Sequence, residues 1–450
     1  MNWLQLLSRK RLFVTPSEDR AIRRTDFQRD FDRIIFSSAL RRMQDKTQVF
    51  PLSKIDYVRT RLTHSLESSS VGRSLGTLVG EQIIQRHQLK NYQASDFGDI
   101  CAAACLSHDI GNPPFGHSGE DSIRHWASYT EIGQKRMACL SVAEQADFLK
   151  FEGNAQGFRV LTRLQNPDNK GGLQLTCATL ATFTKYPREA YLGDMNFEGV
   201  SAKKQGFTLQ EKDFFEMVAK EVGLIRRDKQ KAIWHRHPLA FLVEAADDIC
   251  YHVIDIEDGF RLGRLSLADA ENLFLNCLKN AGQHSKKLKY FQGDQEKIEF
   301  LRAKVINETI GYSIQCFLDN EQALLKGQFI QPLIEELPNH KELHDLIKIA
   351  KQKVYTAPSV LEIDAVGFRI ISALLDQFII ALDDLAQKGD NARELSKILC
   401  QMLPRQFVGK NILEPEQDAY LRLLKLTDFI SGMTDSYAVN LYKKLTGISL

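Results

Sequence analysis

Apolar residues in this chain recur mainly at steps of three and four. Between residues 370 and 385, Ile371, Leu374, Phe378, Leu382 and Leu385 share one face of a helix, which predicts a buried stripe. Similar patterning over 239–254 and 420–430 predicts two further helices. Alternation of the strand type is scarce and there are only 12 prolines, so the expected fold class is all-α. Turn-forming residues mark expected connections at 166–172, 193–206, 282–287 and 404–416. No repeat of fixed period and no low-complexity tract interrupts the pattern.

Composition narrows the class. The 450 residues are 43% hydrophobic and 26% charged, with 59 Lys and Arg against 57 Asp and Glu, a formal charge of +2. That near balance lays down no general footprint for nucleic acid. Short basic clusters at 9–11, 41–42 and 226–231 read as solvated surface. The eight cysteines form no C-x-x-C pair; Cys101 and Cys105 lie four apart in an alanine-rich run, as small buried residues do. The N-terminal apolar patch is too short for a signal sequence, and no apolar run is expected to reach the roughly 18 residues that span a bilayer. A cytoplasmic protein is expected.

Three segments carry the chemistry. Residues 59–67 (RTRLTHSLE) include His64, residues 107–114 (SHDIGNPP) include His108 and Asp109, and residues 244–248 (EAADD) include Asp247 and Asp248. Two imidazoles and two carboxylates suit a divalent ion such as Mn, Mg, Fe, Co or Zn, with positions left for water and substrate oxygens. Adjacent residues on a helix lie about 100° apart, so His108 and Asp109 can address one ion. Gly111 and Pro113 then end the helix, which places the pair in its last turn, where the dipole favours a cation. An ionisable pair behind an apolar run is costly to bury unless something coordinates it. In the third segment Asp247, Tyr251 and Asp255 step by four and share a face. Asp247 is therefore the expected ligand and Asp248 the alternative; Glu244, Asp247 and Asp248 as a solvated acidic face is the competing reading. His117 and Glu120 follow the break at 111–114, and a helix starting at Ser118 would lean both into a cleft mouth.

The pattern His64, His108-Asp109, Asp247 resembles the one that names the HD superfamily. Beyond it the chain resembles the bacterial deoxyguanosine triphosphate triphosphohydrolases. The likeness is carried by 47–52 (TQVFPL), 59–67 (RTRLTHSLE), 108–120 (HDIGNPPFGHSGE), 151–156 (FEGNAQ), 171–180 (GGLQLTCATL), 185–187 (KYP), 244–251 and 431–438 (SGMTDSYA), and so covers nearly the whole chain.

The resemblance implies a helical HD core over 46–262, an N-terminal arm over 1–45, and a C-terminal helical region over 263–450 completing the pocket and oligomer contacts. It implies one divalent ion per subunit, Mn2+ or Mg2+ before Co2+, Fe2+ or Zn2+, and release of intact triphosphate from a dNTP, dGTP first. His117 is then the acid/base or in-line group, oriented by Glu120. Lys185 and Tyr186 would hold the phosphate chain beside Asn154. Arg61 would contact phosphate or stack on the nucleoside, Tyr251 would pack against the sugar, and Gln48 and Asp255 would read its 3′-hydroxyl. A homo-oligomer, commonly a hexamer, and a dNTP or single-stranded DNA effector follow from the same likeness. Another HD phosphohydrolase activity explains the ligands but not the outer segments; a nucleotide- or nucleic-acid-binding regulator would not need His117 and Glu120. P-loop hydrolysis is excluded, since no G-x-x-x-x-G-K-[ST] run exists.

Overall fold

The computed structural model describes residues 1–14, 24–48, 59–356, 358–411 and 414–448. Residues 49–52 of the TQVFPL segment lie outside them. Among the described residues the chain is almost entirely helical, with one two-stranded antiparallel pair, Gly409–Asn411 with Glu414–Pro415.

Eight helices build or brace the site: α1 (Arg61–His87), α2 (Ala94–Ser107), α3 (Gly116–Tyr129), α4 (Pro238–Arg261), α5 (His340–Lys353), α6 (Pro358–Lys388), α7 (Ala419–Ser431) and α8 (Asp435–Leu445). Helices α1 and α2 approach closely because glycines recur every four residues along one face of α1. A Cβ at Gly72 would stand 2.4 Å from Cys105 Sγ, and one at Gly80 would stand 2.9 Å from the Phe97 ring. Pro238 occupies the first turn of α4 behind the cap residue His237, a position where its missing N–H costs nothing. Leu75, Val79, Phe97, Leu242 and Ile249 fill the core shared by α1, α2 and α4.

A second core joins α3 to the C-terminal helices. Phe115, Ile123 and Trp126 pack with Ile371, Leu374, Phe378, Leu382 and Leu385 of α6, so the stripe read from the sequence is the buried one. The Trp126 indole also donates to Asp376 of α6 at 2.7 Å.

Three expectations change. Residues 282–287 are not a connection but lie within the helix Ala281–Leu288, where Leu288 is buried and the rest of the surface is polar. Helix α3 begins at Gly116, two residues before Ser118. The span Val360–Asn391 is long and apolar enough by length and composition to cross a membrane, with a mean hydropathy of 1.8 in its best window. Isolated charges such as Asp376 break its apolar run but are too few to bring that mean out of the spanning range, and half of the window is buried against the protein. All eight cysteines are free thiols.

Candidate active site and metal centre

Helix α2 stops at Ser107, so His108 and Asp109 sit in the turn just past its end rather than in its last turn. The His108 ring is fixed there by donation from Nδ1 to the Cys105 carbonyl at 2.7 Å, which leaves Nε2 as the free nitrogen. His64 projects from the first turns of α1 with its ring centre 5.2 Å from that of His108. Asp247, from the middle of α4, places Oδ1 3.1 Å from His64 Nε2 and 3.3 Å from His108 Nε2. Asp109 Oδ1 lies 3.5 Å from His108 Nε2. The ligand atoms of His64, His108 and Asp109 fall within 4.8 Å of one another, a grouping that could hold a metal ion.

The electrostatics of this cluster demand positive charge. Burial pulls the His108 imidazole down, but Asp109 and Asp247 more than offset it and hold it above its ordinary value. Burial likewise opposes the charged form of Asp247, yet Lys185 and His108 keep its carboxyl well below the usual range. Asp109 is held low against burial by Arg61 and the two histidines. Two carboxylates and two inward imidazole nitrogens therefore fit a divalent cation, which would displace the ring protons.

Around the cluster lies a cavity of about 630 Å³, within the range of small-molecule sites. Lys185 is 7% exposed and reaches Asp247 Oδ2 at 2.5 Å. Arg61, buried, donates from Nη1 to Asp109 Oδ2 at 2.5 Å, and Asn112 donates to Asp109 Oδ1 at 2.6 Å. His117 donates from Nδ1 to Glu120 at 2.9 Å; Glu120 also accepts from the Gly153 amide at 2.6 Å and from Arg124 at 3.2 Å. Glu120 is 2% exposed, whereas the His117 side chain is 78% exposed and lines the cavity. The Glu120 bond raises the His117 imidazole above its ordinary value.

Gln48, Asn154, Tyr186 and Tyr251 also line this cavity, and Gln48 Oε1 is buried there without a partner. Asp255 does not join them: it is 2% exposed and accepts from the Tyr355 hydroxyl, which stands between it and the opening. Burial pushes the Asp255 carboxyl up to about 8. Asp248 lines the cavity without contacting either imidazole, and Glu244 is buried against Arg236 at 2.6 and 3.0 Å, so the three acids are not a solvated face.

Sequence reasoning missed Lys204, His252, Lys351, Tyr355 and Asp364, all on the cavity wall. Lys351 and Tyr355 come with α5 and the turn after it, more than 90 residues beyond Asp247, and no spacing signal links them to it. The Lys203-Lys204 pair was visible only as part of a polar loop.

The HD domain family model matches residues 61–148. A Synechocystis deoxyguanosinetriphosphate triphosphohydrolase-like protein is 48% identical over the full length of both chains. A Pseudomonas aeruginosa protein of the same description is 39% identical over 100% of this chain and 99% of its own. A Klebsiella pneumoniae deoxyguanosinetriphosphate triphosphohydrolase is 32% identical over 94% of each chain.

Proposed function

The chain belongs to the deoxyguanosinetriphosphate triphosphohydrolase-like family of HD-domain proteins, and on that premise we propose that it hydrolyses a deoxynucleoside triphosphate, dGTP before the others, to deoxynucleoside and inorganic triphosphate. The observation that carries this reading is one cavity that joins the His64, His108, Asp109 and Asp247 cluster to Lys185 on one side and the His117–Glu120 pair on another. A cation held by the four residues, Mn2+ or Mg2+ in our reading, would supply charge for a phosphate oxygen and acidify water. The protein's own groups do the rest. Lys185 stays charged because Asp247 outweighs its burial, and it offers a compact positive charge to the phosphate chain. Arg61 adds a planar donor beside it, and Tyr186 and Asn154 border the same wall. The His117 ring, locked by Glu120 through Nδ1, presents Nε2 to substrate. The Glu120 hydrogen bond raises the basicity of that ring, which suits it to carry the proton for the departing 5′-oxygen. Tyr251 lies with its ring 6.0 Å from that of Tyr355, an apolar surface on which the sugar packs.

Gln48, with an unsatisfied buried oxygen, retains the role of reading a sugar hydroxyl. For Asp255 the same role passes through the Tyr355 hydroxyl that it holds. Assembly into a homo-oligomer and control by a second nucleotide or single-stranded DNA belong to the same proposal.

Phosphorus-31 NMR of the full chain with each dNTP and Mg2+, which is diamagnetic, tests the reaction. Triphosphate is the expected product, formed fastest from dGTP. Pyrophosphate or orthophosphate as the first product would refute it, and equal rates on all four dNTPs would reduce it to a broad dNTPase.

A further inference from the structure

The segment 431–438 was singled out by its sequence, yet none of its residues lines the cavity. Its Asp435 is 1% exposed and opens α8, one residue after the cap Thr434. A carboxylate at a helix N-terminus normally serves its own helix. This one is spent elsewhere. Oδ1 accepts the Phe115 amide at 2.9 Å, and Oδ2 accepts the Thr47 amide at 3.0 Å and the Thr47 hydroxyl.

Both partners line the cavity themselves, each beside a residue of the candidate site. Phe115 precedes α3, which carries His117 and Glu120, and it adopts a left-handed conformation with φ 64°, followed by Gly116 at φ 59°. A non-glycine residue in that region costs on the order of 1 kcal/mol and persists only where its surroundings hold it. Gly116 has no room for a side chain, because a Cβ would stand 2.4 Å from Arg61 Nη2. Thr47 precedes Gln48 on the opposite wall. A second tie repeats the arrangement: the buried Lys46 amino group donates to the carbonyls of Asn112 at 2.5 Å and Ser431 at 2.8 Å. Three segments, 46–48, 112–117 and 431–435, thus meet at two buried side chains, Lys46 and Asp435, that do not line the cavity.

We propose that Asp435 is a positioning residue: its two carboxylate oxygens hold the Gln48 wall and the strained turn ahead of His117 in register, so that the C-terminal helix sets the geometry of the acid/base pair. The inference rests on the role given above to His117 and Glu120. The metal cluster hangs from α1, the end of α2 and α4, none of which Asp435 touches.

The test is steady-state dGTP hydrolysis by full-length Asp435→Ala and Asp435→Asn, with Mn2+ affinity measured on the same samples. Asp435→Ala leaves two buried amides without an acceptor; kcat is expected to fall at least tenfold, with KM rising through the displaced Gln48 wall, while Mn2+ affinity changes less than about threefold. Asp435→Asn keeps one acceptor and should recover part of kcat. Should Asp435→Ala fail to fold, Asp435→Asn and Thr47→Val carry the test, each with a smaller loss in kcat at retained Mn2+ affinity. Wild-type kcat in the variants, or a parallel loss of Mn2+ affinity and kcat, overturns the proposal. An inactive wild type would instead refute the underlying assignment of His117 and Glu120.

Discussion

Glu120 shows how one buried side chain sets the chemistry of another. It accepts from His117, the Gly153 amide and Arg124, so it stays charged although burial opposes it. The His117 ring is raised in turn, and the sign of a substitution follows. With a protonated His117 as the donor, the rate falls as pH rises through its pKa. Glu120→Gln removes the charge that raises that pKa, so the falling limb of kcat/KM against pH should move to lower pH, with a loss of roughly 10²–10⁴-fold in rate at neutral pH. An unmoved limb would remove His117 from the role. At this scale the sequence was informative where chemistry is adjacent or evenly spaced: His108 beside Asp109, and Asp247 on a helix stripe. The same spacing argument failed for Asp255, because a face that begins at the cavity runs into the core within two turns. Tyr355 left no local mark, and the segment holding Asp435 stood out without disclosing what that carboxylate holds, since their partners lie 100 and 320 residues away.

Helices α1 and α2 set the distance between His64 and His108, and their contact depends on missing side chains. A Cβ at Gly76 would stand 2.6 Å from the Phe97 carbonyl oxygen and 2.9 Å from Cys101 Sγ, atoms with nowhere to go. Gly76→Ala should therefore destabilise by roughly 1–3 kcal/mol, as overpacking does, and lower activity as the two imidazoles part. Gly282 is the control: it lies inside a helix with nothing within 4 Å of its Cβ position, so Gly282→Ala should leave stability equal or slightly higher. Thermal melts of the two variants check the pair, and similar melting for both would contradict the close-packing argument. Periodicity disclosed which helices exist but not their ends. His108 falls past α2 because the helix closes at Ser107, and α3 starts early because Phe115 and Gly116 turn left-handed ahead of it. Neither event has a periodic signature.

Over the whole molecule the cavity lies where two cores meet. Residues from α1, α2 and α4 supply the candidate metal cluster, while α3, which carries His117, is packed against α6 and α7 through the second core. The all-helical class could be read from apolar spacing alone. The dependence of α3 on residues beyond 358 could not, because apolar stripes do not name their partners. The central claim is that His64, His108, Asp109 and Asp247, from three separate stretches, hold one divalent ion. Titrating Mn2+ into the EDTA-treated full chain, followed by electron paramagnetic resonance, tests this most directly. The account predicts one tight site per chain, lost in His108→Ala and in Asp247→Ala but kept in His117→Ala. Undiminished Mn2+ binding in the first two variants would contradict it.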